Sequence, residues 1–309
     1  YLAELLLKKD YEVHGIVRSD FSFEDNNKSW RIKGIKKDLK IYKHNIENRE
    51  GLKQILEKIK PTELYHLAAQ TLDGYSFDKE LYTFNINVNA THFLISAIRE
   101  INNKTKIFFA GSSEMYGDKK NVPIDEKTAF DPRSAYGISK VTGYYLIKNY
   151  RLYHKMHATT GILFNHESPR RGLHYVTRYI SNAAASIKKG ITKNFYLGNI
   201  KATRDWGHAK DYVRAMWSML QQNDSDDYIL GTGELHSVEE FVEKSFKHVG
   251  LNYKDYLIIK DDLKRKQDIG DRIANNSKVK KILGWKPEIN FDNLIAEMVE
   301  SDLKLLSKK

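Results

Sequence analysis

The chain has 309 residues, 41% hydrophobic and 29% charged, which suits a soluble globular protein and excludes a disordered one. No stretch approaches the roughly 18 consecutive apolar residues of a membrane span, so no membrane association is predicted. Cysteine is absent, which excludes disulfides, thiolate metal sites and cysteine nucleophiles; no metal site is predicted, and the composition fits a cytoplasmic protein.

The formal net charge of +11 is compatible with two kinds of partner. A nucleic acid would require a continuous basic face. The short lysine clusters at 33–40 and 260–266 have acidic residues among them, and there is no long basic tail. A nucleic-acid partner is therefore not predicted, whereas a small polyanionic ligand such as a nucleotide suits the charge.

The first half of the chain alternates short β-branched or aromatic runs with segments of helical periodicity. Strands are predicted at 11–17, 39–46, 63–69, 106–112 and 158–164. Helices are predicted between them at 49–59, 87–101 and 134–155. This alternation predicts an α/β fold with a doubly wound, mainly parallel sheet of the Rossmann type.

The start of the chain, "YLAELLLKKDYEVHGIV", has the pattern of the back half of a helix followed by a strand. A doubly wound nucleotide-binding fold normally opens with a strand and a glycine-rich turn ahead of that helix. Neither is present in the sequence. We therefore expect the natural protein to have residues upstream of Tyr1.

After about residue 165 the pattern loosens, and aromatic and arginine residues become denser. Helices are predicted at 211–222, 237–246 and 291–306. A smaller C-terminal lobe is the expected arrangement.

A group of polar residues follows the strand predicted at 106–112. In open α/β sheets ligands bind beyond the carboxyl ends of the strands, so Ser112, Ser113 and Glu114 should face the ligand crevice. The next helix begins near Ser134 and carries Tyr136 and Lys140, an i, i+4 pair on one helical face. A lysine ammonium lowers the pKa of a nearby phenol and so prepares it to act as a base.

The spacing of that pair is not distinctive by itself. Five tyrosines have a lysine four residues later, the others being Tyr75/Lys79, Tyr116/Lys120, Tyr144/Lys148 and Tyr256/Lys260. Only Tyr136 and Lys140 both open a helix and follow a serine-bearing strand end. The ordered set of strand, Ser-Ser-Glu, helix start and Tyr-x-x-x-Lys is therefore the more specific signal.

This set resembles the extended short-chain dehydrogenase/reductase family. Four longer segments, "YLAELLLKKDYEVHGIVR", "FNHESPRRG" (164–172), "RDWGHAKDYVRAMWSMLQQ" (204–222) and "LGWKPEINF" (283–291), resemble the GDP-mannose 4,6-dehydratases within it. That family converts GDP-mannose to GDP-4-keto-6-deoxymannose with tightly held NADP. The resemblance implies an NADP-binding domain at 1–165 and 205–232, a nucleotide-sugar-binding lobe at 166–204 and 233–309, and a homodimer or homotetramer.

The resemblance also implies roles for individual residues. The catalytic residues are Ser112, which would bond the sugar O4, Glu114, which would remove the C5 proton, and the base Tyr136 with its helper Lys140. The cofactor would contact Arg18, Ser19, Asn45, Ile46, Leu67, Ala68, Ala69, Gln70, Tyr82, Lys140, His166 and Arg171. The GDP-sugar would contact Ser113, Asn165, Arg178 and Arg204.

Several positions depart from the family pattern. Ser112 replaces the usual threonine, and Asn45-Ile46 replaces Asp-Leu. The stretch "QTLDGYSF" (70–77), Tyr179 and "RKQD" (265–268) also differ, on the side where the sugar would bind. The alternatives are a GDP-manno-heptose 4,6-dehydratase, whose extra hydroxymethyl group could meet Asp73, a nucleotide-sugar epimerase or reductase of the same fold, and a non-enzymatic nucleotide-sugar-binding protein.

Overall fold

The computed structural model describes residues 1–25, 29–71, 79–118, 123–263 and 271–307. Its strands are β1 Val13–Val17, β2 Leu39–Lys43, β3 Glu63–His66, β4 Lys106–Ser112, β5 Pro123–Ile124, β6 Ala158–Leu163, β7 Asn165–Glu167, β8 Phe195–Leu197, β9 Thr203–Arg204, β10 Trp206–His208, β11 Asp227–Leu230, β12 His236–Ser237, β13 Leu257–Ile259 and β14 Ile273–Ala274. Its α-helices are α1 Leu2–Leu7, α2 Arg49–Ile59, α3 Glu80–Phe84, α4 Ala90–Ile101, α5 Ala135–His154, α6 Val176–Lys188, α7 Ala209–Leu220, α8 Val238–His248, α9 Ser277–Leu283 and α10 Phe291–Leu306. Within these described ranges no helix combines the length and the apolarity needed to cross a membrane.

One compact unit comprises Tyr1–Gly117, Ala129–Ile162 and Val213–Tyr228. Its strands β3, β4 and β6 belong to a sheet with the order β11-β6-β4-β3, in which β3 and β4 run parallel and only the first half of β11 lies in this unit; β1 pairs in parallel with β2. The predicted α/β fold with parallel strands is confirmed. The carboxyl end of β4 is where the predicted catalytic residues begin.

The core of this unit follows from helical spacing. Leu52 and Leu56 lie one turn apart on α2 and are fully buried with Ile98 of α4 and Phe109 of β4. The helix begins at 49 because the Asn48 side chain accepts the Gly51 N–H at 3.2 Å. Apolar residues at the i, i+4 positions therefore bury one face of α2 in this core.

The helix predicted at 87–101 differs at its start. The structure has α3, then a π-helical turn at Asn85–Asn89, then α4. Asparagine alternates with isoleucine and valine over "NINVN", a pattern that favours no regular helix. The extra residue in the turn rotates Asn87 into the interior, where it is fully buried.

The second compact unit comprises Asp118–Thr128, Leu163–Tyr212 and Ile229–Lys309. Short strands pair within it as β7 with β10, β9 with β12, β8 with β13 and β5 with β14. Its core is formed by α6, α8 and α10, and Ile180, Phe241 and Leu294 are completely buried.

The predicted first domain, 1–165 and 205–232, also includes residues 118–128, 163–165, 205–212 and 229–232, which in the structure lie in the second unit. Residues 206–208 form β10, which pairs with β7. The neighbouring Asp205 carboxylate accepts backbone N–H groups of Thr232, Gly233 and Ala274. These bonds tie the segment to its own unit.

Candidate active site

Strand β4 delivers three polar residues at its carboxyl end. Ser112 caps the single 3-10 turn at Ser113–Tyr116, and its Oγ accepts the Glu114 N–H at 3.2 Å. Met115 and Tyr116 are completely buried and anchor the turn, whereas Glu114 is half-buried. The turn therefore fixes the backbone from which the Glu114 carboxylate projects.

Helix α5 carries Tyr136 and Lys140 to the same strand. Ser134 caps the helix by accepting the Gly137 N–H at 3.0 Å. Lys140 is 3% exposed, and its Nζ donates to Ala110 O of β4 at 2.8 Å. The same Nζ lies 5.8 Å from the centre of the Tyr136 ring.

Burial sets the electrostatics of this pair. Desolvation lowers the pKa of Lys140 to about 8, because its ammonium is removed from water with a backbone carbonyl as its hydrogen-bond partner. Below that pH the ammonium is charged and stabilises a phenolate at Tyr136. The geometry thus supports general-base chemistry by the tyrosine.

A hydrogen-bond network that the sequence analysis missed connects α5 to the loop after β3. Asn87 Nδ2 donates to Gln70 O at 3.0 Å and to Ser139 Oγ at 2.9 Å, and Asn87 Oδ1 accepts the Gln70 N–H at 2.7 Å. Ser139 Oγ donates in turn to Tyr136 O at 2.7 Å. The asparagine-rich "NINVN" stretch was the only sequence signal for it.

His66 is a second buried polar residue beside this network. The Thr91 hydroxyl donates to Asn87 O and so accepts the Nε2–H of His66 at 2.8 Å. Burial, with the positive charge of Lys140 as a smaller cause, lowers the pKa of His66 to about 3. His66 is therefore neutral at physiological pH and leaves Lys140 as the cation.

Most of the predicted cofactor residues of the first unit follow β1, β2 and β3; Tyr82 lies on α3 and Lys140 on α5. Asn45 Oδ1 accepts both the backbone N–H and the hydroxyl of Ser19, at 3.2 and 3.1 Å, and Ile46 is half-buried beside it. The exposed Arg18 guanidinium lies 3.8 Å from Asp20. These hydrogen bonds join the segments that follow β1 and β2, and the Arg18 guanidinium next to Ser19 is exposed.

The loop after β3 presents an apolar surface. Leu67 is 44% exposed although it directly follows the buried His66. Ala68 is exposed, Ala69 and Gln70 are half-buried, and Tyr82 of α3 is 42% exposed. An exposed apolar strand end beside a buried lysine fits the flat faces of a nicotinamide nucleotide. Among the described residues no group of three His, Asp or Glu side chains could hold a metal ion.

In the second unit, His166 and Arg171 are held by their neighbours. His166 Nδ1 donates to Phe164 O at 2.9 Å, and its ring stacks on Tyr212 at 4.9 Å. Burial, assisted by the charge of Arg171, lowers the pKa of His166, so the imidazole is neutral. The Arg171 guanidinium lies 3.1 Å from Glu167 and packs over Tyr175.

The remaining predicted substrate residues of this unit have different surroundings. Arg204 is half-buried and Nη1 donates to Thr203 O at 2.6 Å, while Asn165 O accepts from Tyr212 at 3.5 Å. Arg178 is 3% exposed, donates from Nε to Pro169 O at 3.0 Å and pairs with Asp302. The altered positions at 72–77 and 265–268 lie outside the described residues.

Comparisons with known proteins agree over nearly the whole chain. A family model described as GDP-mannose 4,6 dehydratase matches residues 1–298. The GDP-mannose 4,6 dehydratase of Cricetulus griseus is 42% identical over 329 residues, which cover 99% of this chain and 88% of the relative. The GDP-mannose 4,6-dehydratase of Vibrio cholerae is 38% identical, with 100% of this chain and 91% of the relative covered.

Solved structures share the fold at lower identity. A UDP-glucose 4-epimerase from Thermotoga maritima, with UDP-glucose, has a TM-score of 0.87 and 22% identity, with 99% of this chain and 95% of that chain covered. RMD from Pseudomonas aeruginosa, complexed with NADPH, has a TM-score of 0.82 and 18% identity, with 96% and 100% covered. At these identities the likeness shows the fold alone.

Proposed function

The chain belongs to the GDP-mannose 4,6-dehydratase family, and we propose that it is a hydro-lyase that converts GDP-mannose, or a related GDP-manno sugar, to the 4-keto-6-deoxy product. The observation that carries the proposal is the family match over residues 1–298. It is supported by the position of Glu114 two residues after Ser112, in the turn that follows the strand whose Ala110 O accepts the Lys140 ammonium.

The first half of the reaction is the oxidation of C4. Tyr136, as phenolate, takes the O4 proton while the Ser112 hydroxyl bonds O4. The Lys140 ammonium stabilises the phenolate. When bound, a nicotinamide cofactor would supply the redox chemistry, as the acceptor of a hydride from C4 and its donor to C6.

The second half is the loss of water. A ketone at C4 makes the C5 proton acidic, and the Glu114 carboxylate removes it. The C6–O bond then breaks, and the proton held by Glu114 passes to the leaving hydroxyl, which departs as water. The carboxylate is thereby restored. C5 regains a proton as the hydrogen is returned to C6, and the release of the O4 proton from Tyr136 balances that gain, so that both bases are ready for the next turnover.

The cofactor we propose is NADP rather than NAD. Arg18 lies at the end of β1 with an exposed guanidinium, where a cation pairs with the adenosine 2′-phosphate. Calorimetry should show tighter binding of NADP than of NAD, and Arg18→Ala should remove most of the difference. Equal affinities in the unchanged protein would contradict the assignment.

For the GDP-sugar we propose contacts from Ser113, Asn165 and Arg204, with His166 and Arg171 on the cofactor. Arg178 is left out, because its guanidinium is buried against Asp302. Mannose is favoured over manno-heptose because relatives from animals, plants and bacteria carry the mannose enzyme's name. No observation favours the epimerase, reductase or binding-protein alternatives.

The test is incubation with GDP-mannose, GDP-manno-heptose and UDP-glucose, followed by mass spectrometry of the sugar nucleotide. A dehydratase removes one water from its substrate, whereas an epimerase leaves the mass unchanged. Glu114→Gln should oxidise C4 yet fail to lose water, so that reduced cofactor accumulates. Dehydration of UDP-glucose with both GDP-sugars untouched would exclude the assignment.

We also propose a homodimer or homotetramer. The outward face of α5 supports it, because Ile138, Tyr145 and Leu152 are exposed at intervals of seven residues, with Tyr153 beside them. Residues seven apart lie on one side of an α-helix. The apolar stripe of α5, defined by these four residues, suits a second copy of the same chain.

A further inference from the structure

Helix α5 approaches the backbone of Glu114 at a glycine. A Cβ built on Gly137 would lie 2.8 Å from Glu114 O and 3.4 Å from Glu114 C. On another side it would lie 3.1 Å from Pro132 Cβ. Real Cβ atoms do not approach a carbonyl oxygen this closely, so only glycine allows the first turn of α5 to pack here.

The two sides of this contact cannot move independently. Glu114 O accepts the Gly117 N–H at 3.4 Å and closes the turn that follows β4. On the helix side, the Gly137 N–H is held by the Ser134 cap, and Ser139 holds Tyr136 O. A side chain at 137 would therefore displace the backbone of Tyr136 relative to that of Glu114.

We propose that Gly137 is a positioning residue that sets the spacing between Tyr136 and Glu114, so that both bases reach one sugar at adjacent carbons. The inference rests on the proposed function, in which Tyr136 acts at O4 and Glu114 acts at C5. Tyr136 moves with the cofactor-facing helix, whereas Glu114 belongs to the strand-end turn. A change in spacing should therefore harm the C5 step more than the C4 step.

The test variant is Gly137→Ala in the full chain with its cofactor. A misplacement of about 1 Å can cost roughly 10²-fold in rate. We expect the exchange of the C5 proton with deuterated solvent, measured per oxidation event, to fall by about 10-fold to 100-fold. Reduced cofactor should accumulate during turnover, while KM for GDP-mannose changes less than about threefold.

Gly143→Ala is the matched control. It lies on the same helix, and its Cβ would meet Phe109 Cζ at 2.3 Å, so it also forces a neighbour to shift. That neighbour is a core ring 4.9 Å from Lys140 Nζ and is not part of the Glu114 turn. Gly143→Ala can slow oxidation, but C5 exchange per oxidation event should match that of the unchanged protein.

Three outcomes separate the possibilities. If Gly137→Ala and Gly143→Ala lower C5 exchange per oxidation equally, or if neither lowers it, the positioning role is wrong. If Glu114→Gln retains full C5 exchange, it is the proposed function that fails, since Glu114 is then not the C5 base. If Gly137→Ala does not fold, Ser134→Ala is the second variant, because it loosens the same turn without a clash. It should also lower C5 exchange per oxidation event. Unchanged C5 exchange in Ser134→Ala would overturn the inference.

Discussion

At the scale of single residues, spacing alone does not identify the base. Lys148 Nζ lies 5.7 Å from the Tyr144 ring, nearly the distance found for Lys140 and Tyr136. Burial and the nearby Asp227 raise the pKa of Tyr144, which keeps it a phenol. The sequence favours Tyr136 as the base because this tyrosine follows a serine-bearing strand. The sequence does not reveal that Asp227 raises the pKa of Tyr144, because Asp227 is 83 residues from Tyr144 in the chain.

Tyr136→Phe should therefore abolish turnover with little loss of substrate binding. The change removes the base and almost no volume, and general-base loss typically costs on the order of 10²–10⁴-fold in kcat. Tyr144→Phe is the control, since the same change at a tyrosine held as a phenol should leave kcat within about threefold. Steady-state kinetics on GDP-mannose measure both, and a larger loss in Tyr144→Phe would show that the wrong tyrosine was chosen.

The buried lysine should make stability depend on pH. The folded pKa of Lys140 is about 8, whereas an unfolded lysine titrates near about 10.4. Between these values the unfolded chain binds more protons, so the free energy of unfolding rises with pH. Lys140→Met removes this dependence, and at pH 7 it should be more stable than the unchanged protein by on the order of 1–3 kcal/mol.

Urea unfolding at pH 7 and pH 10 measures that difference for Lys140→Met. The gap between the variant and the unchanged protein should shrink at the higher pH, because wild-type Lys140 is then neutral in the folded state. A gap that is equal at both pH values would mean that Lys140 is not desolvated. The activity of the variant should be lost at either pH.

At the scale of elements, strands and amphipathic helices were predictable, and packing was not. The predicted spans 49–59, 106–112 and 291–306 match α2, β4 and α10 at both ends. Periodicity and caps determine those limits. The π-helical turn at Asn85–Asn89 was missed, because its cause is the burial of Asn87 against Gln70 and Ser139, which are distant in the sequence.

Packing between α6 and α10 leads to a prediction about Arg178. Its guanidinium pairs with Asp302, which also accepts from Ser181 at 2.7 Å. Removing one member of a buried pair costs about 3–5 kcal/mol. Arg178→Met should therefore lower the free energy of unfolding by that order and leave the Kd for GDP within about twofold.

Arg204→Met is the matched control for Arg178→Met. A charge-assisted hydrogen bond contributes about 1.5–3 kcal/mol, so the loss of the Arg204 guanidinium should weaken GDP binding about tenfold or more. Because Arg204 is only half-buried, its replacement should affect stability less than Arg178→Met does. Arg178→Met combined with Asp302→Leu should recover stability. Weaker GDP binding in Arg178→Met than in Arg204→Met would restore Arg178 to the substrate site.

At the scale of the whole molecule, the fold does not decide the reaction. The Thermotoga maritima UDP-glucose 4-epimerase shares the fold at a TM-score of 0.87 with 22% identity. A 4-epimerase inverts the configuration of C4 and requires no base at C5. The Glu114 carboxylate is therefore the feature that argues for dehydration. The long motifs around residues 164–172 and 204–222 were therefore more informative about function than the strand and helix pattern was.

The apolar stripe of α5 leads to a prediction about assembly. Ile138, Tyr145, Leu152 and Tyr153 are 43%, 56%, 53% and 76% exposed. Burying a large apolar side chain stabilises an assembly by roughly 1.5–3 kcal/mol. In a two-fold interface each of these side chains is buried twice, once from each subunit. The double variant Leu152→Lys with Tyr153→Lys would place four ammonium groups in the interface, two from each subunit. The fold of the single subunit should tolerate these changes, because a lysine near the C-terminus of α5 interacts favourably with the helix dipole.

Sedimentation velocity at micromolar concentration should show the unchanged protein as a dimer or tetramer and the double variant as a smaller species. Ile191→Lys is the control: Ile191 is 57% exposed in the loop after α6, so the same change there removes an exposed apolar side chain outside the stripe. It should sediment like the unchanged protein. If the double variant and the control sediment alike, α5 does not form the interface, because four like charges on a two-fold axis would separate the subunits.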